Sequence, residues 1–190
     1  MHNELIWQHL DSAGWEHVRV SDDHPGWNVF DSILVRQHEG QVLRGGYTLV
    51  TDKNWRTLEL RLMVETAPGA MEGIHLLTEG DGKWTDANEN PMPELDGCLD
   101  VDIQWSPLTN SLPVNRLPLV EGTAQEIRVA YVSLPDLSVK PITQRYVRAT
   151  DSIIRITSPS APDGTEIVVD ADGIVEHYPQ RFLRSWPRNS

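Results

Sequence analysis

The stretch WRTLELRLMVET, residues 55–66, decides the class of the fold. Leu58, Leu60, Leu62 and Val64 fall on one side of it, and Thr57, Glu59, Arg61 and Glu65 on the other. Successive side chains of a strand point to opposite faces, so this period of two predicts a strand with one buried face. Comparable runs lie at residues 4–10, 15–20, 29–36, 42–50, 73–78, 98–105, 127–134, 139–148, 153–157, 166–170 and 174–178. About eleven or twelve short strands with little helix follow, which makes the chain all-β. Glu39-Gly40, Asp81-Gly82, Asp163-Gly164 and Asp172-Gly173 sit between such runs, where glycine supplies the positive φ of a tight hairpin. The strands therefore read as a meander of antiparallel hairpins. So many strands must hide their edges, which leaves a barrel, a strongly curved half-barrel or a sandwich. Residues 86–94 (DANENPMPE) read as an exposed loop. Residues 106–117 have the prolines and the length for a turn and one short helical segment near 108–117.

With 190 residues and 39% apolar side chains, the chain is long enough to build one core as a single domain over 1–190. Cys98 is the lone cysteine, so no internal disulfide forms, and a reducing cytoplasm is the expected setting. The opening MHNELIWQHLDSAG has neither a basic region nor an apolar run of signal-peptide length, and no stretch reaches about 18 consecutive apolar residues. No transmembrane segment is expected. The formal charge of -12 repels nucleic acid and anionic headgroups, and the Lys and Arg residues are scattered rather than clustered. No nucleic-acid partner is expected, and oligomeric state leaves no mark in the sequence.

The usual motifs of catalysis are missing. Asp81-Gly82-Lys83-Trp84 lacks the upstream glycine and the following Ser or Thr of a phosphate loop. Asp170-Ala171-Asp172-Gly173 puts glycine at the fourth place of a calcium loop rather than the sixth. The seven histidines show no HExxH or paired spacing, and no serine stands in a GxSxG elbow. No catalytic residue, metal or cofactor is assigned, and Cys98 is read as a small packed residue.

The run LDGCLDVDIQWSPLTNSLPVNRL, residues 95–117, carries the functional signal. On a strand, Cys98, Asp100, Asp102 and Gln104 share one side, with the two carboxylates about 6.8 Å apart along the backbone. Leu99, Val101, Ile103 and Trp105 take the other side and must face the core. The polar side either faces water or lines a concave cavity, where its carboxylates need arginine partners or ligand hydroxyls. Arg56, Arg61, Arg116 and Arg145 are the candidate partners. Glycosidase carboxylates flank a substrate from two sides, which neighbours on one strand seldom do. Seven tryptophans against two phenylalanines favour rings with a polar N–H, suited to places where apolar surface meets sugar hydroxyls.

Residues 95–103, with Ser106-Pro-Leu-Thr-Asn-Ser-Leu-Pro113 and Asn115-Arg116-Leu117, resemble the bacterial "putative glycolipid-binding" family, first catalogued as a domain of unknown function. Trp7, Leu10-Asp11, Tyr47, Asp52, Trp55-Arg56, Gly82-Lys83-Trp84, Gln144-Arg145-Tyr146 and residues 170–179 extend the resemblance along the chain. It implies a single domain with one curved antiparallel sheet, similar to the half-barrels of bacterial lipoprotein carriers, whose concave face holds a lipid-like ligand. Ser106, Leu108 and Asn115 depart from the Thr, Phe and basic residue more usual in the family. Asn110 and Arg116 are therefore carried over as ligand contacts, and Leu108 and Asn115 are not.

The resulting expectation is a cytoplasmic, non-enzymatic protein that holds a small amphipathic molecule such as a glycolipid in the concavity of its sheet. Aliphatic and Trp side chains, Trp55 among them, would take the apolar part. Arg56, Asp100, Asp102, Asn110, Arg116 and Tyr146 would meet the polar end. A hydrolase of a sugar or lipid ester, with Asp100 or Asp102 as acid or base, is the alternative. A scaffold that binds protein at its sheet edges is the second alternative.

Overall fold

The computed structural model describes residues 3–67 and 69–187. The N-terminal strands are β1 (Glu4–His9), β2 (Gly14–Ser21), β3 (Trp27–His38), β4 (Gln41–Asp52), β5 (Thr57–Ala67), β6 (Ala70–Leu77) and β7 (Thr85–Asp86). After β8 (Asp100–Ile103) comes a 3₁₀ turn at Leu108–Asn110 and one short helix, α1 (Ser111–Arg116), where the prolines had placed a helical segment. The chain closes with β9 (Ala124–Val132), β10 (Val139–Arg148), β11 (Ile153–Ser158), β12 (Ala161–Val169), β13 (Val175–Tyr178) and β14 (Phe182–Trp186). The class is all-β as expected, with fourteen strands among the described residues rather than eleven or twelve; β7 and β14 are the additions.

All fourteen strands make one curved open sheet in the order β7-β6-β5-β4-β3-β2-β1-β14-β13-β12-β11-β10-β9-β8. The first seven meander outward from β1, and β14 pairs with β1 in the middle of the sheet. Every neighbouring pair is antiparallel except β8, which lies parallel to β9 at the far edge. β8 and β9 lie parallel because residues 104–123, which carry α1, return the chain to the end at which β8 began. Register shifts in the β1–β14, β4–β5, β5–β6, β11–β12 and β12–β13 pairs bend and twist the sheet. One of these bulges corrects an expected turn: Gly164, with φ of 80°, lies inside β12, and the hairpin turns at residues 159–160 instead. The sheet curls until the Thr57 amide of β5 donates to the Leu99 carbonyl beside β8, at 3.1 Å.

Leu5, Trp7, Val18, Phe30, Leu49, Leu60 and Leu62 cover the inner side of the N-terminal strands and are buried. Against them pack Leu95, Val101, Ile103, Leu108, Leu112 and Val114, all in the same contiguous core. Each such side chain contributes about 1.5–3 kcal/mol on full burial. Polar bonds fix the inner segment: Trp84 Nε1 donates to the Cys98 carbonyl at 2.8 Å, and the Val175 amide donates to Ser111 Oγ at 3.0 Å. The concave face is therefore filled by the protein's own residues 95–117, where an open ligand cavity was expected. Among the described residues, no helix is long and apolar enough to cross a membrane.

Candidate functional site

The alternation of β8 is as read from the sequence, yet both of its faces are buried: Asp100 and Val101 are 0% exposed and Asp102 is 8% exposed. The polar face turns toward α1 and β10. Arg116, the last residue of α1, closes on Asp100 with Nε 2.9 Å from Oδ1 and Nη2 2.6 Å from Oδ2. Burial pushes the Asp100 carboxyl up, and the hydrogen bonds and charge of Arg116 pull it down. Both charged groups thus satisfy each other inside the fold.

Asp102 finds a different partner. Gln144 Nε2 of β10 donates to its Oδ2 at 2.6 Å, and Gln144 Oε1 accepts from the Tyr146 hydroxyl at 2.9 Å. The Asn110 side chain approaches the same phenol. Thr109 Oγ1 lies 3.5 Å from Asp102 Oδ1, but its proton is better placed for the Ser106 carbonyl at 3.0 Å, and it accepts from the Ile103 amide at 3.1 Å. Burial raises the Asp102 carboxyl above its ordinary range, against the Gln144 amide and the Arg181 charge.

Beside Asp102 a narrow polar cleft enters the fold, lined by Asn110, Tyr131, Gln144, Tyr178 and Arg181, with Ser158 and Ser160 on the β11–β12 turn. Its volume is about 40 Å³. That holds a few waters. The Arg181 guanidinium lies over the rings of Tyr178 and Phe182, 5.1 Å from each centroid, and donates to the Gln104 carbonyl at 2.7 Å.

Ser106, also in the cleft lining, joins it to a second buried carboxyl. Glu16 of β2 is 0% exposed and accepts from Tyr47 at 2.8 Å, Ser32 at 2.9 Å and Ser106 at 3.1 Å. Burial raises its pKa to about 7, with the three hydroxyls opposing the rise. The inward register Glu16-Val18-Val20 is visible in the sequence, but a lone glutamate on a strand carries no mark of its hydroxyl partners, which lie on other strands and beyond β8. Arg181 gave no comparable signal, because its importance depends on the rings stacked beneath it.

Of the residues singled out in the sequence, the fold gathers Asp102, Asn110 and Tyr146 around Gln144 and sets Asp100 and Arg116 alongside. Trp55 and Arg56 do not join them. Trp55 has φ of 66° at the β4–β5 turn, with its ring 5.7 Å from Phe30. Arg56 is exposed in the same turn, its amide donating to Asp52 Oδ1 at 2.8 Å. Cys98 is fully buried, and burial pushes its thiol to about 11, so it is a poor nucleophile.

The model of one protein family matches residues 4–184 of this chain. A DUF1089 family protein from Pseudomonas aeruginosa, known from a crystal structure, is 32% identical, with 91% of this chain and 92% of that one covered and a TM-score of 0.82. No curated protein matches the chain. The family match spans both the meander and the residues 95–117 that fill it, and the chain belongs to the family described as "Putative glycolipid-binding".

Proposed function

We propose that the protein binds a small amphipathic molecule, a glycolipid, by its polar head at the Asp102 cleft. The observation that carries this reading is a polar cleft opening beside a packed interior. The head enters the cleft or covers its mouth, and the apolar part stays outside the core, with the half-buried Ile142 of the lining as its first contact. Asp102 supplies acceptors for sugar hydroxyls, and the Asn110 amide supplies both donors and an acceptor. Asp100, Arg116 and Tyr146 act from behind by holding β8, α1 and Gln144 in position, and Trp55 and Arg56 stand apart. Binding is favoured over hydrolysis by the Arg116 fork on Asp100, which removes one of the two carboxylates that a glycosidase needs.

Native mass spectrometry of protein purified without detergent from its own host tests the proposal. The wild type is expected to carry a glycolipid, and Asp102→Asn, which keeps the side-chain shape, is expected to weaken retention about tenfold with an unchanged circular dichroism spectrum. Recovery of lipid-free protein only, together with no change in tryptophan fluorescence across a series of glycolipids, overturns it.

A further inference from the structure

We infer that the Asp102 cleft is an oxyanion subsite, which takes a phosphoryl, sulfate or carboxylate substituent of the head while the sugar ring remains at the mouth. The inference rests on the reading of the cleft as the place of the ligand head. Size is the first argument. A space of about 40 Å³ admits a few waters, or a group of about their size such as a tetrahedral oxyanion, and excludes a hexose ring.

Charge is the second argument. Arg36, Arg116 and Arg184 each close on a carboxylate: Asp11 at 3.0 Å, Asp100 at 2.6 Å and Asp170 at 2.5 Å. Arg181 has no carboxylate within ion-pair distance among the described residues, and the Gln104 carbonyl takes only one of its five N–H donors. Its plane is held against Tyr178 and Phe182, so the remaining donors are oriented in a fixed fork suited to an oxyanion. Tyr131, Tyr178, Ser158, Ser160 and Asn110 of the lining carry neutral donor groups.

Asp102 is the one carboxyl in the lining. Its Oδ2 is taken by Gln144, and burial favours its neutral form, so its repulsion of an anion is muted. The field of Arg181 also reaches His9 and Asp11. His9 is held neutral, its pKa lowered to about 4 by burial and then by Arg36, and Asp11 is occupied by Arg36 through two bonds.

The test is a titration of the full chain at low ionic strength, read by ¹H–¹⁵N NMR, with three probes. These are inorganic phosphate, phosphatidylcholine vesicles carrying phosphatidylinositol 4-phosphate, and phosphatidylcholine vesicles carrying the neutral monogalactosyldiacylglycerol. Phosphate is expected to shift the Arg181, Gln144 and Tyr131 resonances saturably. Arg181→Gln is expected to weaken this at least about tenfold, Tyr131→Phe and Arg181→Lys less, and Arg61→Gln, on an exposed side chain of β5, not at all. The phosphoinositide vesicles binding more tightly than free phosphate identifies a lipid head as the source of the anion; free phosphate binding alone identifies a soluble one. Both outcomes support the inference, and the second overturns the glycolipid reading. Equal binding of the neutral galactolipid by wild type and Arg181→Gln, with no response to phosphate, keeps the glycolipid reading and overturns the inference.

Discussion

Glu16 shows what a single buried carboxyl does to the pH response of the whole chain. Its ordinary pKa of 4.5 rises to about 7 in the folded state, so between these values the folded protein holds a proton that the unfolded chain releases. Stability therefore falls as pH rises through that window, by about 3 kcal/mol in all at about 1.4 kcal/mol per tenfold change in proton affinity. Glu16→Gln keeps an amide oxygen for the Tyr47 and Ser32 hydroxyls and removes the titration. Urea unfolding at pH 5 and pH 8 is expected to show a large loss for the wild type and a much smaller one for the variant; equal losses would show that Glu16 is not the group responsible. The same scale explains why Arg116 stood among four candidate arginines without being singled out, and why Gln144 was not legible as the partner of Asp102. Alternation fixes which face a side chain takes, but Arg116 is 16 residues away along the chain and Gln144 is 42 residues away from their respective carboxylates. Nothing local to Asp-Val-Asp distinguishes the two environments.

Among the elements, the turn before β13 and the helix α1 are locked together. Asn115 Nδ2 donates to the Ser111 carbonyl at 3.0 Å and to the Gly173 carbonyl at 3.2 Å. Gly173 has φ of 72°, and a Cβ there would sit 2.7 Å from the Asn115 amide. Gly40, with φ of 82°, has nothing within 4 Å of its Cβ position. Both alanine substitutions carry the backbone cost of the left-handed region, about 1–2 kcal/mol, and only Gly173→Ala also displaces α1. The denaturation midpoint should fall further for Gly173→Ala than for Gly40→Ala, and equal shifts would mean that Asn115 moves aside without cost. Strands without the usual polar-out alternation were not legible. Phe182-Leu183-Arg184-Ser185-Trp186 buries its arginine, which bonds to Asp170 and Glu176, and exposes Leu183 and Trp186. β14 therefore lacks the polar-out pattern that marked the other strands, and β7, at two residues, is too short to show any period.

For the whole molecule, the decisive arrangement is a sheet wrapped around part of its own chain. The meander was legible because each hairpin is local. The β8–β9 pairing was not, since it requires residues 87–99 to carry the chain from one edge of the sheet to the other. Val101, Leu112 and Val114 lie in the buried part of the inner segment and outside the lining of the cleft, so their amides should exchange only through global unfolding. Native-state hydrogen exchange is expected to give Val101, Leu112 and Val114 the same opening free energy as Leu49 and Leu60 in the sheet. Opening of the inner segment several kcal/mol below the sheet would show that it can leave while the sheet stays folded. The seam between β1 and β14 has a mechanical consequence. Ile6 lies opposite Trp186 and His9 opposite Phe182, so the entry of β1 sits beside the exit of β14. Tension applied at residues 4 and 186 loads the backbone bonds of this pair one at a time instead of shearing them together. Under force the sheet is expected to open first at this seam in its middle.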